Sequence, residues 1–269
     1  MAVIPLTAYI KNESRVPALD IIGDIHSCHD ELLALIEKLG YYRFTDGSDP
    51  TWCHRSPEGR RLVFLADYFD KGPLPVETFK LVRKLMQHGV AEGILGNHCN
   101  KLLRYLRKKR DGISTKDMKL SNGLQATIEA FAEAGLESEV LEWLDTLSLS
   151  LTIGSVLVAH GAYRDDVPVG QLKNLNLFGE VLSHQPNADG YPQRVDNWKH
   201  DYNGKMTHIV VGHEIFEEPQ LIISKSGCHV WSIDLGCADG GRLCALRLPQ
   251  EELVFEPARY KYWTQGKAT

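Results

Sequence analysis

The sequence predicts an α/β fold in which helices cover two β-sheets. Five short apolar runs typical of buried strands, ALDII, RLVFL, AEGIL, SVLVA and HIVV, alternate with stretches of helical periodicity. Towards the C-terminus, the segments QLIIS, HVWSID, RLCALRL and ELVFEP read as strands joined by turns. Alternating strands and helices followed by a run of strands favour two sheets with covering helices.

Apolar spacing places the helices between the strands. Leu32, Leu35, Ile36 and Leu39 recur at helical intervals, and a second series is Val76, Phe79, Val82 and Met86. Two further helices fit residues 122–134 and 137–147. The chain of 269 residues is 43% hydrophobic, and no repeat, low-complexity tract or linker divides it. We therefore expect one domain spanning residues 1–269.

Composition limits the partners and the compartment. A formal net charge of −5 gives no general attraction to nucleic acid or anionic membranes. The N-terminus lacks a basic segment followed by an apolar one, and no run is long enough to span a bilayer. The six cysteines include no C-x-x-C pair, which argues against disulfides and structural zinc. These features predict a cytoplasmic protein with free thiols and no membrane association.

Metal-binding residue types follow each of the five apolar runs. The runs are succeeded by GDIH, ADYFD, GNH, HG and GHE. Ligands collect at the carboxyl ends of strands in α/β folds, so these termini can converge on one place. Taken singly, each motif is explained as well by a capping turn or a hydrogen-bonded core histidine. Their joint placement predicts a metal cluster of Asp24, His26, Asp67, Asn97, His160 and His213.

The spacing divides these six residues between two ions. Asp24 and His26 are two apart in an extended segment, so their side chains point to the same side. Asp67 could bridge to a second ion, for which Asn97, His160 and His213 supply a carbonyl oxygen and two imidazoles. Such a mixed set of oxygen and nitrogen ligands suits Mn, Fe or Zn better than Ca.

The same blocks resemble a known family. GDIHSCHDEL, FLADYFDKGP, GILGNHCNKLLRYL, VLVAHG and IVVGHE are similar to the five blocks of the calcineurin-like metallophosphoesterases, the superfamily of the PPP-type Ser/Thr phosphatases. NKLLRYL, PQRVDNW and IDLGCADGGRLCALRLPQEEL further resemble the phosphatase domain of bacterial polynucleotide kinase-phosphatase and the diadenosine-tetraphosphatase relatives. The resemblance spans residues 20–248 and implies a four-layer α-β-β-α sandwich of two mixed β-sheets flanked by helices.

The resemblance also implies a mechanism. Asp24, His26 and Asp67 would hold one divalent ion, and Asp67, Asn97, His160 and His213 the other, with manganese expected first and Fe, Zn, Ni or Mg as alternatives. A metal-bridging hydroxide would attack phosphorus. His98 would be the general acid and Asp70 would orient it. Lys71 and Arg194 stand where the family holds the phosphate.

Four residues depart from the family pattern. Ala66 and Lys71 replace the usual glycine and arginine of the second block, Ser27 replaces a glycine, and Cys99 replaces a glutamate. Lysine offers a point charge where arginine offers a planar fork, so we expect altered substrate affinity or specificity. Cys99 and Cys28 could be reactive, but a buried, inert thiol is the favoured interpretation.

Four functions remain open on sequence grounds. The leading hypothesis is hydrolysis of phosphate mono- or diesters. Alternatives are a dinucleoside-polyphosphate hydrolase of the Ap4A type or a Ser/Thr protein phosphatase, and a catalytically weakened phosphate-binding module. The basic run KLLRYLRKKR, residues 101–110, could steer a nucleotide or an RNA end through Lys101, Arg104 and Lys108, although a solvated helix end is favoured.

Overall fold

The computed structural model describes residues 8–10, 16–44, 53–55, 59–186 and 192–263. The strands are β1 Ala8–Ile10, β2 Leu19–Ile22, β3 Tyr42–Phe44, β4 Cys53–Arg55, β5 Arg61–Phe64, β6 Ala91–Gly93, β7 Ser150–Ile153, β8 Val156–Ala159, β9 Val181–Pro186, β10 Pro192–Arg194, β11 His208–Val211, β12 Gln220–Ile223, β13 His229–Ser232, β14 Arg242–Leu248 and β15 Glu252–Pro257. The helices are α1 His29–Lys38, α2 Pro75–Gln87, α3 Asn97–Arg110, α4 Asn122–Glu133, α5 Glu137–Thr146, α6 Val169–Phe178 and α7 Asn197–Asp201.

The strands form two large mixed sheets and two small hairpins. The six-stranded sheet has the order β1-β7-β8-β11-β13-β12, and the five-stranded sheet has the order β15-β14-β2-β5-β6. Parallel pairs such as β2 with β5 coexist with antiparallel pairs such as β2 with β14. The α/β prediction with two mixed, helix-flanked sheets is therefore confirmed.

The six-stranded sheet is apolar on both faces, and its side chains alternate between two cores. Val156 and Val158 of β8 belong to the large core, whereas Leu157 packs in a second cluster with Ile209 and with Trp198 of α7. Successive side chains of a strand point to opposite faces, so one strand serves both cores. This sheet thus separates the large core from α6 and α7.

The five-stranded sheet carries its own helices. α1 packs against β14 and β15, and α2 packs against β6. The buried side of α1 consists of Leu32, Leu35 and Ile36 together with Glu31. Helices on this sheet and on the six-stranded one produce the layered arrangement. None of the helices that the structure describes is long and apolar enough to cross a bilayer.

The main difference from the sequence-based prediction is strand β7. It forms an antiparallel hairpin with β8 across Gly154 and Ser155, and Gly154 has a φ of 57°. The predicted strand 91–95 ends early at Gly93, because Leu95 N–H donates to Ser148 O over 2.8 Å and draws the chain towards the other sheet.

Candidate metal centre

The predicted ligands follow the strands that run parallel within each sheet. Asp24 and His26 come after β2, Asp67 after β5 and Asn97 after β6, and these three strands are parallel neighbours in the five-stranded sheet. His160 and His213 follow β8 and β11, which are parallel neighbours in the six-stranded sheet. Both sheets therefore direct the carboxyl ends of these strands to one shared edge.

Four of the six side chains meet around Asn97 and Asp67. His160 Nε2 lies 3.2 Å from Asp67 Oδ2 and 2.8 Å from Asn97 Oδ1. His213 Nδ1 lies 3.1 Å from the same Asn97 oxygen. An amide oxygen, a carboxylate and two imidazoles therefore face one another, as ligands around one ion would.

The other two residues complete the cluster from the side of β2. His26 Nε2 lies 4.0 Å from Asp67 Oδ2. Asp24 Oδ2 accepts a hydrogen bond from the His213 backbone N–H over 3.1 Å. Asp67 thus faces a histidine from each sheet, His26 on one side and His160 on the other, which is the position that a bridging carboxylate requires.

Several buried polar atoms of the cluster either lack a hydrogen-bond partner or belong to a ring oriented as in metal-binding histidines. Asp24 Oδ1 and His213 Nε2 are buried, and neither has a hydrogen-bond partner among the described residues. His26 Nδ1 lies 3.1 Å from Phe69 O, and His160 Nδ1 lies 3.1 Å from Leu65 O. A ring that donates from Nδ1 to a carbonyl directs Nε2 at the ion, which is the usual orientation of metal-binding histidines. The donor set therefore fits divalent metal ions.

Electrostatics keep most of these ligands in the metal-binding form. Burial, aided by Lys71, lowers the pKa of His26 well below its ordinary value. Burial and His160 lower the pKa of His213 to about 2. Burial acts to raise the pKa of Asp67, but His160 outweighs it and the net pKa is well below normal. At neutral pH these are two neutral imidazoles and a carboxylate.

Two glycines make room for the carboxylates. A Cβ at Gly212 would lie 2.1 Å from Asp24 Oδ1, and a Cβ at Gly96 would lie 2.2 Å from Asp67 Oδ1. Each glycine directly precedes a ligand, His213 or Asn97, so the sequence pairs Gly-His and Gly-Asn reflect close packing of backbone against carboxylate.

Backbone strain is concentrated at the same place. Among the described residues, the non-glycine residues with positive φ are His26, Ser27, Ala66, Asp67, Asp70, Lys71, His213 and Glu251. Three of these are predicted ligands, Ser27 and Ala66 each adjoin one, and Asp70 and Lys71 are the residues predicted to orient His98 and to bind phosphate. Such conformations cost about 1–3 kcal/mol each and persist where the surrounding structure holds them, commonly at functional sites. Ser27 and Ala66 replace glycine in the family pattern at positions where glycine would relieve this strain.

His98 and Asp70 form a hydrogen-bonded pair at the edge of the cluster. His98 Nδ1 lies 2.7 Å from Asp70 Oδ2, and the ring stands edge-on to His26, with centroids 4.9 Å apart. Ser121 Oγ donates to Asp70 Oδ2 over 2.9 Å and also caps helix α4. Asp70 therefore orients His98 and leaves Nε2 of that ring available for a proton transfer.

The two proposed phosphate-binding residues lie on different sides of the cluster. Lys71 acts electrostatically on His26, and Arg194 acts on His213. Lys71 Nζ is paired with Asp239 Oδ2 at 3.3 Å. Arg194 Nη1 donates to Phe178 O over 3.1 Å, and the residue lines a cleft beside Gly212.

Asp234 and Asp239 were missed by sequence reasoning. Both lie in the stretch IDLGCADGG, which carries the family resemblance without assigning roles. Burial, and then the neighbouring Asp234, raise the pKa of Asp24, while Asp239 pairs with Lys71. The signal that could have identified them is the presence of two acidic residues within a stretch that resembles the family.

The basic run on α3 is largely neutralised. Arg107 pairs with Asp145, Lys108 with Asp117, Lys109 with Glu137 and Arg110 with Asp111. Of the three cations predicted to steer a polyanion, only Lys108 is among these pairs, so the steering role of Lys101 and Arg104 stays a prediction. Cys99, in the same helix, is buried, and burial raises the pKa of its thiol well above normal.

Comparison with known proteins identifies the family. The family model for calcineurin-like phosphoesterases, Metallophos, matches residues 18–238. The protein named bis(5′-nucleosyl)-tetraphosphatase PrpE (asymmetrical) from Bacillus subtilis is 34% identical over 256 residues, covering 91% of this chain and 96% of that protein. Its namesake from Halalkalibacterium halodurans is 34% identical over 253 residues, covering 89% and 94%.

Solved structures share the fold. A crystal structure of a putative diadenosine tetraphosphatase has a TM-score of 0.60 at 23% identity and covers 94% of this chain and 98% of that one. A Ser/Thr phosphatase from Saccharomyces cerevisiae has a TM-score of 0.55 at 15% identity and covers 96% and 84%. The family match, the fold and the cluster of metal-binding side chains agree: the chain belongs to the calcineurin-like phosphoesterases and is a metal-dependent phosphatase of that family.

Proposed function

We propose that this enzyme hydrolyses dinucleoside polyphosphates of the diadenosine-tetraphosphate type, acting as a single domain with two divalent ions. The observation that carries the proposal is the match, over nine tenths of the chain, to proteins named bis(5′-nucleosyl)-tetraphosphatase. Hydrolysis of simpler phosphate mono- and diesters is expected from the same centre.

The described geometry supports a two-ion centre. Asp24, His26 and Asp67 would hold one ion, and Asp67, Asn97, His160 and His213 the other. When bound, such ions activate a water for attack on phosphorus and neutralise phosphate charge. Manganese is our first choice, because the ligands combine carboxylate and amide oxygens with imidazoles, a set that also accommodates Fe, Zn or Ni.

His98 is proposed to deliver the proton. With Nδ1 held by Asp70 at 2.7 Å, its Nε2 would donate to the leaving oxygen. General acids help most when the leaving group is a poor anion. A nucleotide phosphate is a good leaving anion, so this step should matter less for dinucleoside polyphosphates than for alkyl phosphates.

Lys71 and Arg194 are proposed to bind phosphate oxygens on the two sides of the ions. Cations on both sides of one centre suit a substrate with several consecutive phosphates better than one with a single phosphate. Arg194 is exposed at the cleft, where its hydrogen bond to Phe178 O could be exchanged for one to a phosphate oxygen.

The experiment is product analysis with diadenosine tetraphosphate. We expect the Mn-loaded enzyme to release ATP and AMP, the products of asymmetrical cleavage, and Asp67→Asn to abolish turnover. p-Nitrophenyl phosphate, 2′,3′-cyclic nucleotides and a phosphopeptide serve as comparison substrates. Turnover of p-nitrophenyl phosphate without any cleavage of diadenosine tetraphosphate would contradict the proposed substrate but not the phosphoesterase activity.

We further propose a cytoplasmic location. The five cysteines whose side chains the structure describes, Cys28, Cys99, Cys228, Cys237 and Cys244, are buried and free. Free thiols are typical of a reducing compartment. Labelling thiols in intact and lysed cells would test this assignment.

A further inference from the structure

A second histidine cluster lies at the other end of the six-stranded sheet from the metal centre. His208 begins β11 and His229 begins β13, and the two are register partners on adjacent parallel strands. Glu251 reaches them from the turn between β14 and β15 of the five-stranded sheet. His208 precedes the predicted ligand His213 by five positions, which is about 16 Å along an extended chain.

Both histidines converge on one carboxylate oxygen. His208 Nε2 lies 2.9 Å from Glu251 Oε1, and His229 Nδ1 lies 2.6 Å from the same oxygen. The two rings are edge-on, with centroids 5.5 Å apart. Three potential ligand atoms from three separate segments thus lie within 4.8 Å of one another.

The other ring nitrogen of His208 is held by Thr207. The Thr207 hydroxyl lies 3.0 Å from His208 Nδ1, 2.8 Å from Ser155 Oγ and 3.2 Å from Ser155 O. This contact orients the ring so that Nε2 is the nitrogen that faces Glu251.

Two arrangements satisfy these contacts: neutral imidazoles that each donate one N–H to Glu251 Oε1, or one metal ion held by all three side chains. A single divalent cation satisfies both nitrogens and the carboxylate together. His208 is also oriented as a metal ligand usually is, because its other ring nitrogen is already hydrogen-bonded.

The hairpin turn fixes the place of Glu251. It is the last of the three residues between β14 and β15, and its φ of 56° is the left-handed conformation that this position of a three-residue hairpin loop adopts. The turn thereby holds the Glu251 carboxylate beside the first residues of β11 and β13.

We propose that His208, His229 and Glu251 form a third metal site, which binds a zinc-class divalent cation and links the two sheets. Two imidazoles and a carboxylate are a common zinc ligand set, with ligand atoms about 3.3 Å apart in tetrahedral geometry. The observed 2.6–2.9 Å contacts need to open only slightly. The side chains of His229 and Glu251 are 33% and 26% exposed, so solvent can supply the fourth ligand.

The test is metal stoichiometry on the full-length protein. The chain is stripped with chelator, dialysed against excess Zn²⁺ and analysed by mass spectrometry of the metal. We expect wild type to retain one equivalent more than His229→Gln. The matched control His88→Gln, at an exposed histidine of the segment after α2, should retain the wild-type content.

A second variant and a second measurement keep the result decisive. Glu251→Gln preserves size and hydrogen bonding and should lose the same equivalent, so a folding defect in one variant does not obscure the outcome. Phosphatase activity of both Mn-loaded variants should stay within about twofold of wild type. Equal zinc content in wild type, His229→Gln and Glu251→Gln would overturn the third site and leave a hydrogen-bonded cluster of these three side chains in its place.

Discussion

Lys71 Nζ lies 3.3 Å from Asp239 Oδ2, so the cation proposed to bind substrate phosphate already has a carboxylate partner. The Lys71 side chain is only 14% exposed. Burial acts to lower the pKa of Lys71, but Asp239 and Asp234 raise it above its ordinary value. The ammonium is therefore charged, and phosphate must compete with Asp239 for it.

Removing this competitor should tighten substrate binding. Asp239→Asn is expected to lower KM by about fivefold, the equivalent of a pair worth about 1 kcal/mol, with kcat little changed. Asp201→Asn is the matched control, because Asp201 pairs with Lys225 at an exposed position. Steady-state kinetics on both variants measure the effect. A KM in Asp239→Asn that equals or exceeds wild type would show that Asp239 positions Lys71 and does not compete for it.

The Asp70–His98 pair should show its role through the leaving group. Asp70→Asn is expected to lower kcat about 100-fold for an alkyl phosphate and much less for p-nitrophenyl phosphate, whose leaving group needs no proton. Ser121→Ala removes a hydrogen bond to Asp70 and the N-cap of α4, so we expect lower stability and only a small effect on kcat for both esters. Similar losses on the two esters would contradict the general-acid role of His98.

Gly212 should be intolerant of a side chain. Gly212→Ala would place Cβ 2.1 Å from Asp24 Oδ1, which displaces this carboxylate, so we expect metal affinity to fall at least about tenfold. The control is Gly170→Ala in α6, where a Cβ meets nothing within 4 Å and alanine favours the helix. Calorimetric titration with Mn²⁺ compares the two. Wild-type affinity in Gly212→Ala would remove Asp24 from the ligand set.

Restoring glycine at position 27 should stabilise the fold. Ser27 has a φ of 60° and a buried hydroxyl with no hydrogen-bond partner among the described residues. Ser27→Gly relieves both, and we expect the free energy of unfolding to rise by about 1–2 kcal/mol. Ser232 in β13 shares the buried, unpartnered hydroxyl without positive φ, so Ser232→Gly should be neutral or destabilising. Denaturant unfolding measures the free energy of unfolding of both variants. Equal changes in the two would mean that the positive φ of Ser27 contributes no strain.

Metal binding should strengthen as the pH rises. Burial acts to lower the pKa of His160, but Asp67 and Asp24 raise it to about 9. The metal-free ring is therefore protonated at pH 7, and that proton must leave before Nε2 can bind an ion. Below pH 9 the apparent affinity for Mn²⁺ should fall about tenfold per pH unit. Titrations near pH 7 and pH 8 measure the slope, and a flat profile would contradict the raised pKa of His160.

Local patterns were sufficient to predict the main strands and the convergence of the residues proposed as metal ligands. The apolar runs became β2, β5, β6, β8 and β11, because buried strands with a ligand at the carboxyl end have a short-range signature. Strand β7 had a signal that was overlooked: SLTI and VLVA are separated by Gly154 and Ser155 alone, a spacing typical of a hairpin.

Long-range pairings could not be predicted in this way. Lys71 and Asp239 are 168 positions apart, and neither residue carries a pattern that points to the other. The cluster at His208, His229 and Glu251 likewise depends on strand register and on a turn from the other sheet. Such contacts follow from topology, and periodicity along the chain does not encode them.

The pairing of β2 with β14 has a consequence for biosynthesis. β2 lies between β5 and β14, with Ile22 opposite Ala245. A chain emerging from the ribosome therefore carries an unpaired β2 edge until nearly all of it has been made. Exposed strand edges and non-local pairings slow folding and favour aggregation. The Asp24–His26 segment follows β2 directly, so the catalytic centre is assembled late in synthesis, and a chaperone that shields this edge would raise the yield of active enzyme.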